Sequence, residues 1–274
     1  MRLWFISALF MVTGGIVFAQ SALVEDLTIL PSVSYFKWRE ILADPTSGCS
    51  EVNEAGPLFG LGANFKLGLF DKHLTFRAQA QGFYGNVSYD GYAQNASTGN
   101  VFPMTTTVTH TGFSGRSLVG FRLLTFPVSL EPFGGIGVRV WKRDIASSAV
   151  GSQRVSGYVE NWTTVHADTG LRVDVNLPAK ASVYAEAGLR YGLKTTNTVN
   201  NLQLQPGNDW ACFAAIGTKI DHFNFNLGFE GFCFPVSPGI NTYVYQNSRL
   251  YSYQIYQPQS YMYLFTVSIG YSFI

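Results

Sequence analysis

Four histidines, three cysteines and a few carboxylates are the groups in this 274-residue chain that could do chemistry. His110 and Ser114 lie four residues apart, and His166 and Asp168 two apart. Even spacings put each pair on one face of a strand. A histidine beside a serine or a carboxylate has the elements of a base with its nucleophile or its orienting partner. Neither pair has a third member close by, and a structural role is favoured for both. Asp221-His222 falls between two strand-like segments and reads as turn chemistry. His73, His110, His166 and His222 lie in separate segments without ligand spacing, so no metal site is expected. The glycines follow strand alternation and form no phosphate-binding loop. No cofactor is expected.

The elements that would position these groups are strands. The last stretch shows the pattern best. Tyr261, Tyr263, Phe265, Val267, Ile269, Tyr271 and Phe273 alternate with smaller, mostly polar residues. That is period two, with one fatty face. Ten such segments run approximately over 27–37, 58–69, 74–87, 109–125, 128–141, 159–175, 182–194, 210–220, 223–234 and 261–273. An eight-stranded version would demote the first or the weak 210–220 segment. Connectors alternate between four short and five long, with both termini on the short side. Charged residues are only 13%, aromatics reach 15%, and there are 28 glycines. A soluble chain with so few charges would need a large core, whereas a lipid-facing barrel needs few charges and many aromatics.

Arg2 precedes an apolar run from Leu3 to Phe18, and Ala19 ends a plausible cleavage site. Residues 1–19 therefore read as a signal peptide and 20–274 as one barrel domain. The net charge of +1 gives no argument for a nucleic-acid partner.

The terminal strand, with Tyr271 and Phe273 near its end, resembles the C-terminal assembly signal of Gram-negative outer-membrane β-barrels. Ile274 follows where that family usually ends on the aromatic. Glu131-Pro132-Phe133-Gly134-Gly135 resembles the proline-aromatic-glycine strand opening of small OmpA/OmpW-like barrels. The resemblance implies an all-β, antiparallel up-and-down transmembrane barrel in the outer membrane, with short periplasmic turns and long external loops. Its implied partners are outer-membrane lipid and the barrel-assembly machinery, which would read Tyr271 and Phe273. Two enzymatic barrel types are close enough to weigh. In lipid A deacylases the serine follows the histidine by two and faces lipid. In omptin-like proteases an Asp-x-His pair sits near the external rim with a second acidic pair. His110/Ser114 and His166/Asp168 depart from both patterns, so the chain is read as a non-enzyme.

If one parity per strand faces lipid, the other parity collects nine cations and six anions in the lumen, Lys194 among them. The turns then set three opposite-sign pairs: Arg122 with Glu131, Arg172 with Glu186, and Asp168 with Arg190. Such a charge web predicts a mostly closed lumen. A turn closed between His222 and Phe223 would set Cys212 opposite Cys233, either as a disulfide or as two small thiols facing lipid; Cys49 would stay free. The last long loop carries Tyr243, Tyr245, Tyr251, Tyr253 and Tyr256 among small polar residues. These tyrosines could bind an extracellular ligand or simply extend the barrel as a hairpin. The favoured function is a small structural or surface-interaction barrel. A narrow, porin-like passive channel is the alternative, and a lipid-acting or proteolytic enzyme comes third.

Overall fold

The computed structural model describes residues 23–42, 51–94, 101–124, 126–151, 153–246 and 249–274. The signal segment and Cys49 lie outside them. Fifteen strands form, in order β1 (Leu23–Ile41), β2 (Glu51–Leu69), β3 (Leu74–Gln94), β4 (Val101–Phe121), β5 (Val128–Ile145), β6 (Ser148–Val150), β7 (Gln153–Val155), β8 (Tyr158–Leu177), β9 (Ala181–Val199), β10 (Leu202–Leu204), β11 (Trp210–Ile220), β12 (Phe223–Phe234), β13 (Ile240–Gln246), β14 (Arg249–Ile255) and β15 (Gln259–Ser272). Ten of them make a closed antiparallel barrel. Its order is β1-β2-β3-β4-β5-β8-β9-β11-β12-β15, and β15 pairs back onto β1. Closure leaves no unpaired sheet edge, which a strand in hydrocarbon requires. β6–β7 and β13–β14 are small hairpins, and β10 folds back on β9 through Asn200 and Asn201, both at positive φ. That is the two-residue turn that asparagine tolerates best after glycine.

The barrel exterior explains the composition. Near the short turns the outward residues are apolar, among them Ile29, Val33, Leu61, Val119, Ile136, Leu171, Leu189, Ile216, Leu227 and Val267, each 45–62% exposed. The same face carries aromatics above and below. Tyr35, Phe59, Tyr84 and Phe113 mark one edge, and Phe121, Phe223, Tyr271 and Phe273 the other. On β4, Phe113 and Phe121 bracket nine residues, within the roughly 9–11 that cross a bilayer. A face this apolar and this exposed, wrapped around a closed barrel, is a lipid-facing face.

Several strands are nearly twice that length. β3 and β4 each have 21 residues. Beyond the upper girdle their outward residues turn polar: Asn86, Ser88 and Asp90 on β3, and Thr105, Thr107, Thr109 and Thr111 on β4. Lys142–Asp144 on β5, at 2.7 Å, and Arg39–Glu51 between β1 and β2 pair on the same outer surface. The barrel therefore rises above the apolar band on its long-loop side.

Three sequence expectations change. β1 runs to Ile41, β2 starts at Glu51 and β5 reaches Ile145. The expected segments stopped at 37, began at 58 and stopped at 141, so Glu40, Glu54 and Arg143 were left in loops. The β11–β12 turn is Asp221-His222, with Ile220 opposite Phe223 and Phe213 opposite Glu230. This register is two residues away from the one that would face Cys212 with Cys233, and both thiols are free. Asp221 takes φ 53° and closes the turn one residue earlier than expected. Finally, β9 bulges against β8, with Val165 opposite Lys194 but His166 opposite Gly192. The extra residue, Leu193, reverses the parity and turns Lys194 out of the lumen to an exposed position.

Candidate functional site: the barrel lumen

Inward positions on ten strands converge on one axis, so the lumen is where the polar residues meet. Strand alternation puts them there, because the outward parity is already spent on lipid.

All three turn-set pairs are in contact. Arg190 grips Asp168 with both arms, Nε to Oδ1 at 2.8 Å and Nη2 to Oδ2 at 3.0 Å. Arg122 Nε donates to Glu131 Oε2 at 3.4 Å. Arg172 Nη1 lies 3.5 Å from Glu186 Oε2, but its main partner is Asp174 on its own strand, at 2.7 and 2.8 Å. Glu186 is shared further. Arg77 donates to it from across the lumen, and Arg116 Nη2 does so at 3.1 Å. Arg77 also reaches Glu131 at 3.2 Å, and Arg122 takes Glu25 as a second partner. The web is thus a cross-lumen network rather than three separate rungs. His166 Nδ1 sits 2.8 Å from Asp168 Oδ1, within this network.

A second cluster, which the sequence reading missed, lies nearer the long loops. Arg143 from β5 is 1% exposed and touches three carboxylates. Its Nε meets Glu54 Oε1 at 2.8 Å, and its Nη1 meets Glu160 Oε2 at 2.8 Å and Glu40 Oε1 at 3.0 Å. His110 Nε2 pairs with Glu54 Oε2 at 2.9 Å, so His110 is a partner of this cluster and not of Ser114. Trp38 Nε1 donates to Glu40 and Trp162 Nε1 to Glu160, both at 2.8 Å. Gln257, just before β15, donates to Glu40 Oε1 at 3.3 Å and accepts from Asn197 at 2.8 Å. The long loop's end is therefore pinned inside the barrel mouth. The signal was present in the sequence: Glu40 and Arg143 each continue the inward parity one step past a tryptophan.

Beneath that cluster four rings fill the bore. Trp38, Trp141, Trp162 and Phe234 come from β1, β5, β8 and β12, and every pair of centroids lies within 6.4 Å. None is more than 2% exposed. Phe36, Val52, Phe83, Val87, Met104, Val108, Met262 and others extend this into one hydrophobic core inside the barrel. Towards the short turns the packing opens. A polar cavity of about 170 Å³ lies below the rings, and a vestibule of about 520 Å³ lies below that. Asn64, Gln79, Tyr184 and Asn226 line both.

The remaining expected sites sit apart. Tyr271 and Phe273 point outward at the short-turn rim, 45% and 55% exposed. The Phe273 amide donates to the Leu27 carbonyl at 2.9 Å, tying the chain end to β1. The loop tyrosines lie mostly on the β13–β14 hairpin, where Tyr243 pairs with Ser252 and Tyr253 with Thr242. Tyr256 follows it and is 38% exposed. Among the described residues no group of three or more His, Cys, Asp or Glu is arranged to hold a metal ion.

No protein-family model and no curated protein matches the chain. Solved structures are similar in outline. The outer membrane protease OmpT from Escherichia coli aligns over 92% of this chain and 98% of its own, at 9% identity and a TM-score of 0.49. The transport unit of the autotransporter AIDA-I from Escherichia coli aligns over 96% and 94%, at 14% identity and TM-score 0.44. The translocator domain of the autotransporter NalP from Neisseria meningitidis aligns over 90% and 88%, at 14% and 0.40. Likeness at this level says nothing of what the chain does. The barrel stands on its own register and exterior.

Proposed function

We propose that this protein is an outer-membrane barrel with a sealed lumen that works through the surface it raises above the membrane, not as an open pore and not as an enzyme. The carrying observation is the four-ring layer of Trp38, Trp141, Trp162 and Phe234, capped by the buried Arg143 cluster. Side chains that fill a bore this densely leave no continuous water path. The strands beyond the upper girdle and the β13–β14 hairpin then supply the contact surface, with the loop tyrosines as its adaptable part. Export through a cleaved signal peptide and recognition of Tyr271 and Phe273 by the assembly machinery belong to the same proposal.

The deciding experiment is single-channel recording on refolded protein in planar bilayers. A silent or rarely flickering trace is expected. Large, steady conductance would overturn the sealed reading in favour of a narrow channel. One observation favours that second reading: the polar vestibule and cavity already reach from the short-turn rim to Arg139.

A further inference from the structure

Below the ring layer one guanidinium is left without a hydrogen-bonded carboxylate among the described residues. Every other arginine of the lumen has a carboxylate oxygen within hydrogen-bonding distance. Arg139 on β5 has none among the described residues. Its nearest, Glu230 Oε2, lies 3.8 Å from Nη1, beyond a hydrogen bond. Its Nε is buried with no acceptor. The side chain is 3% exposed, with the Phe83 ring 4.3 Å from its guanidinium carbon. Two neighbours repeat the pattern: Arg190 Nη1 and Arg116 Nη1 are also buried without acceptors.

All three arginines line the 170 Å³ cavity. A buried charge with unmet donors is costly, and the cost is relieved by an acceptor placed between them. The cavity has ample room, since one water needs only about 10–15 Å³. Gln81, Ser114 and Asn226 add neutral hydrogen-bonding groups to its wall. Glu230 also faces the cavity, its side chain 35% exposed, 3.5 Å from Arg190 Nη2. A ligand that satisfies the whole wall accepts from the arginines and donates to the carboxylate. A halide cannot donate, and neither can a fully deprotonated sulfate. A hydrogen phosphate does both, because it carries acceptor oxygens and a hydroxyl on one small tetrahedron.

We propose that this cavity is a binding site for a small protonated oxyanion of the hydrogen-phosphate class, held by Arg139, Arg190 and Arg116 and oriented by Glu230. Entry is from the short-turn side, through the vestibule that shares the cavity's wall. The ring layer blocks exit towards the long loops, so the site is a terminus and not a station on a path.

The test uses the full-length mature chain refolded in detergent, with inorganic phosphate as the probe. Thermal unfolding is followed against phosphate, sulfate and chloride at constant ionic strength. Phosphate should raise the midpoint saturably, with sulfate weaker and chloride without effect, and Arg139→Gln should abolish the phosphate rise. Equal responses to phosphate and chloride, or an undiminished response in Arg139→Gln, would overturn the site. Should Arg139→Gln not refold, wild-type crystals soaked in arsenate decide the matter. An anomalous peak beside Arg139 is expected, and its absence at saturating arsenate refutes the proposal.

Discussion

Arg143 Nε donates to Glu54 Oε1 at 2.8 Å, joining β5 to β2 across the lumen although two strands separate them in the barrel wall. The same guanidinium holds Glu160 and Glu40, so one cation organises three carboxylates in a site that water does not reach. Removing it leaves the three without their shared cation, with only His110, Trp38, Gln257 and Trp162 as partners. Arg143→Met is expected to destabilise the barrel by about 3–5 kcal/mol, the cost of stranding buried charge. Adding Glu54→Gln should recover part of that loss. Urea unfolding from lipid vesicles measures both, and an Arg143→Met barrel as stable as wild type would refute the cluster's role.

Glu40 should make the barrel's stability depend on pH. Burial, opposed by Arg143 and reinforced by Glu160 and Glu54, holds its carboxyl above the ordinary range. This cluster lies beyond the upper aromatic girdle, outside the lipid-facing band. Trp38, Arg143 and Gln257 all donate to Oε1. Oε2 accepts nothing among the described residues and can keep the proton. A raised acid binds its proton more tightly folded than unfolded. Its contribution is therefore most favourable at low pH and is lost as pH rises from the ordinary carboxyl range through the raised folded value. Glu40→Gln mimics the protonated form. It should cost under about 1 kcal/mol, the scale of one hydrogen bond, and should flatten this part of the stability–pH curve. An unchanged curve in the variant would show that Glu40 is ionised throughout.

Glu186 gives a sharper test of the lower web than any single pair. Arg77, Arg116 and Arg172 all use it, and Arg172 keeps Asp174 without it. Glu186→Gln should therefore cost about 3–5 kcal/mol. A second change, Arg172→Gln, should recover little, because Arg77 and Arg116 stay exposed to the loss. Arg77→Gln should recover more. A double-mutant cycle in thermal unfolding separates these cases, and full rescue by Arg172→Gln would mean the pair acts alone.

The ten strands, their antiparallel order and the inward parity could all be read in the sequence, because lipid on one face forces period-two alternation over every membrane-crossing segment. Arg122, Glu131, Asp168, Arg172, Glu186 and Arg190 followed from that parity and from short turns. The legible part ended where lipid ends. Above Tyr35 and Tyr84 the outer face turns polar, the contrast between faces fades, and Glu40, Glu54 and Arg143 looked like loop. Sharing was also hidden. The Arg77–Glu186 contact spans 109 residues and crosses the bore, so no turn announces it. Cys212 and Cys233 show how little it takes to miss: moving the turn one residue earlier shifts the register by two.

That shift has its own expected outcome. With Phe213 opposite Glu230, Cys233 pairs in register with Tyr261 and not with Cys212. Its sulfur lies 3.5 Å from Asp209 Oδ2. Peptide mapping of unreduced protein should find no link between 212 and 233. Such a link, found quantitatively, would contradict the β11–β12 register.

The ring layer is the part of the structure on which the sealed reading rests, so opening it should change function without unmaking the barrel. Trp141 and Trp162 stack at 5.2 Å, 12° from parallel, and sit directly opposite each other on β5 and β8. Truncating both to alanine removes two of the three indoles over the cavity, at whose upper end Arg139 lies. Each buried Trp→Ala change costs about 3–5 kcal/mol, and the outward face that lipid holds is untouched. The double variant should still insert, and should conduct steadily where the wild type is silent. The first charge an ion then meets below the gap is Arg139, which no carboxylate hydrogen-bonds among the described residues, so the opened bore should prefer anions; the reversal potential across a potassium chloride gradient reads that preference directly. Adding Arg139→Gln to the double variant should erase the preference while keeping the conductance. A double variant that folds, inserts and stays silent would mean that the Arg143 cluster, not the rings, is the seal.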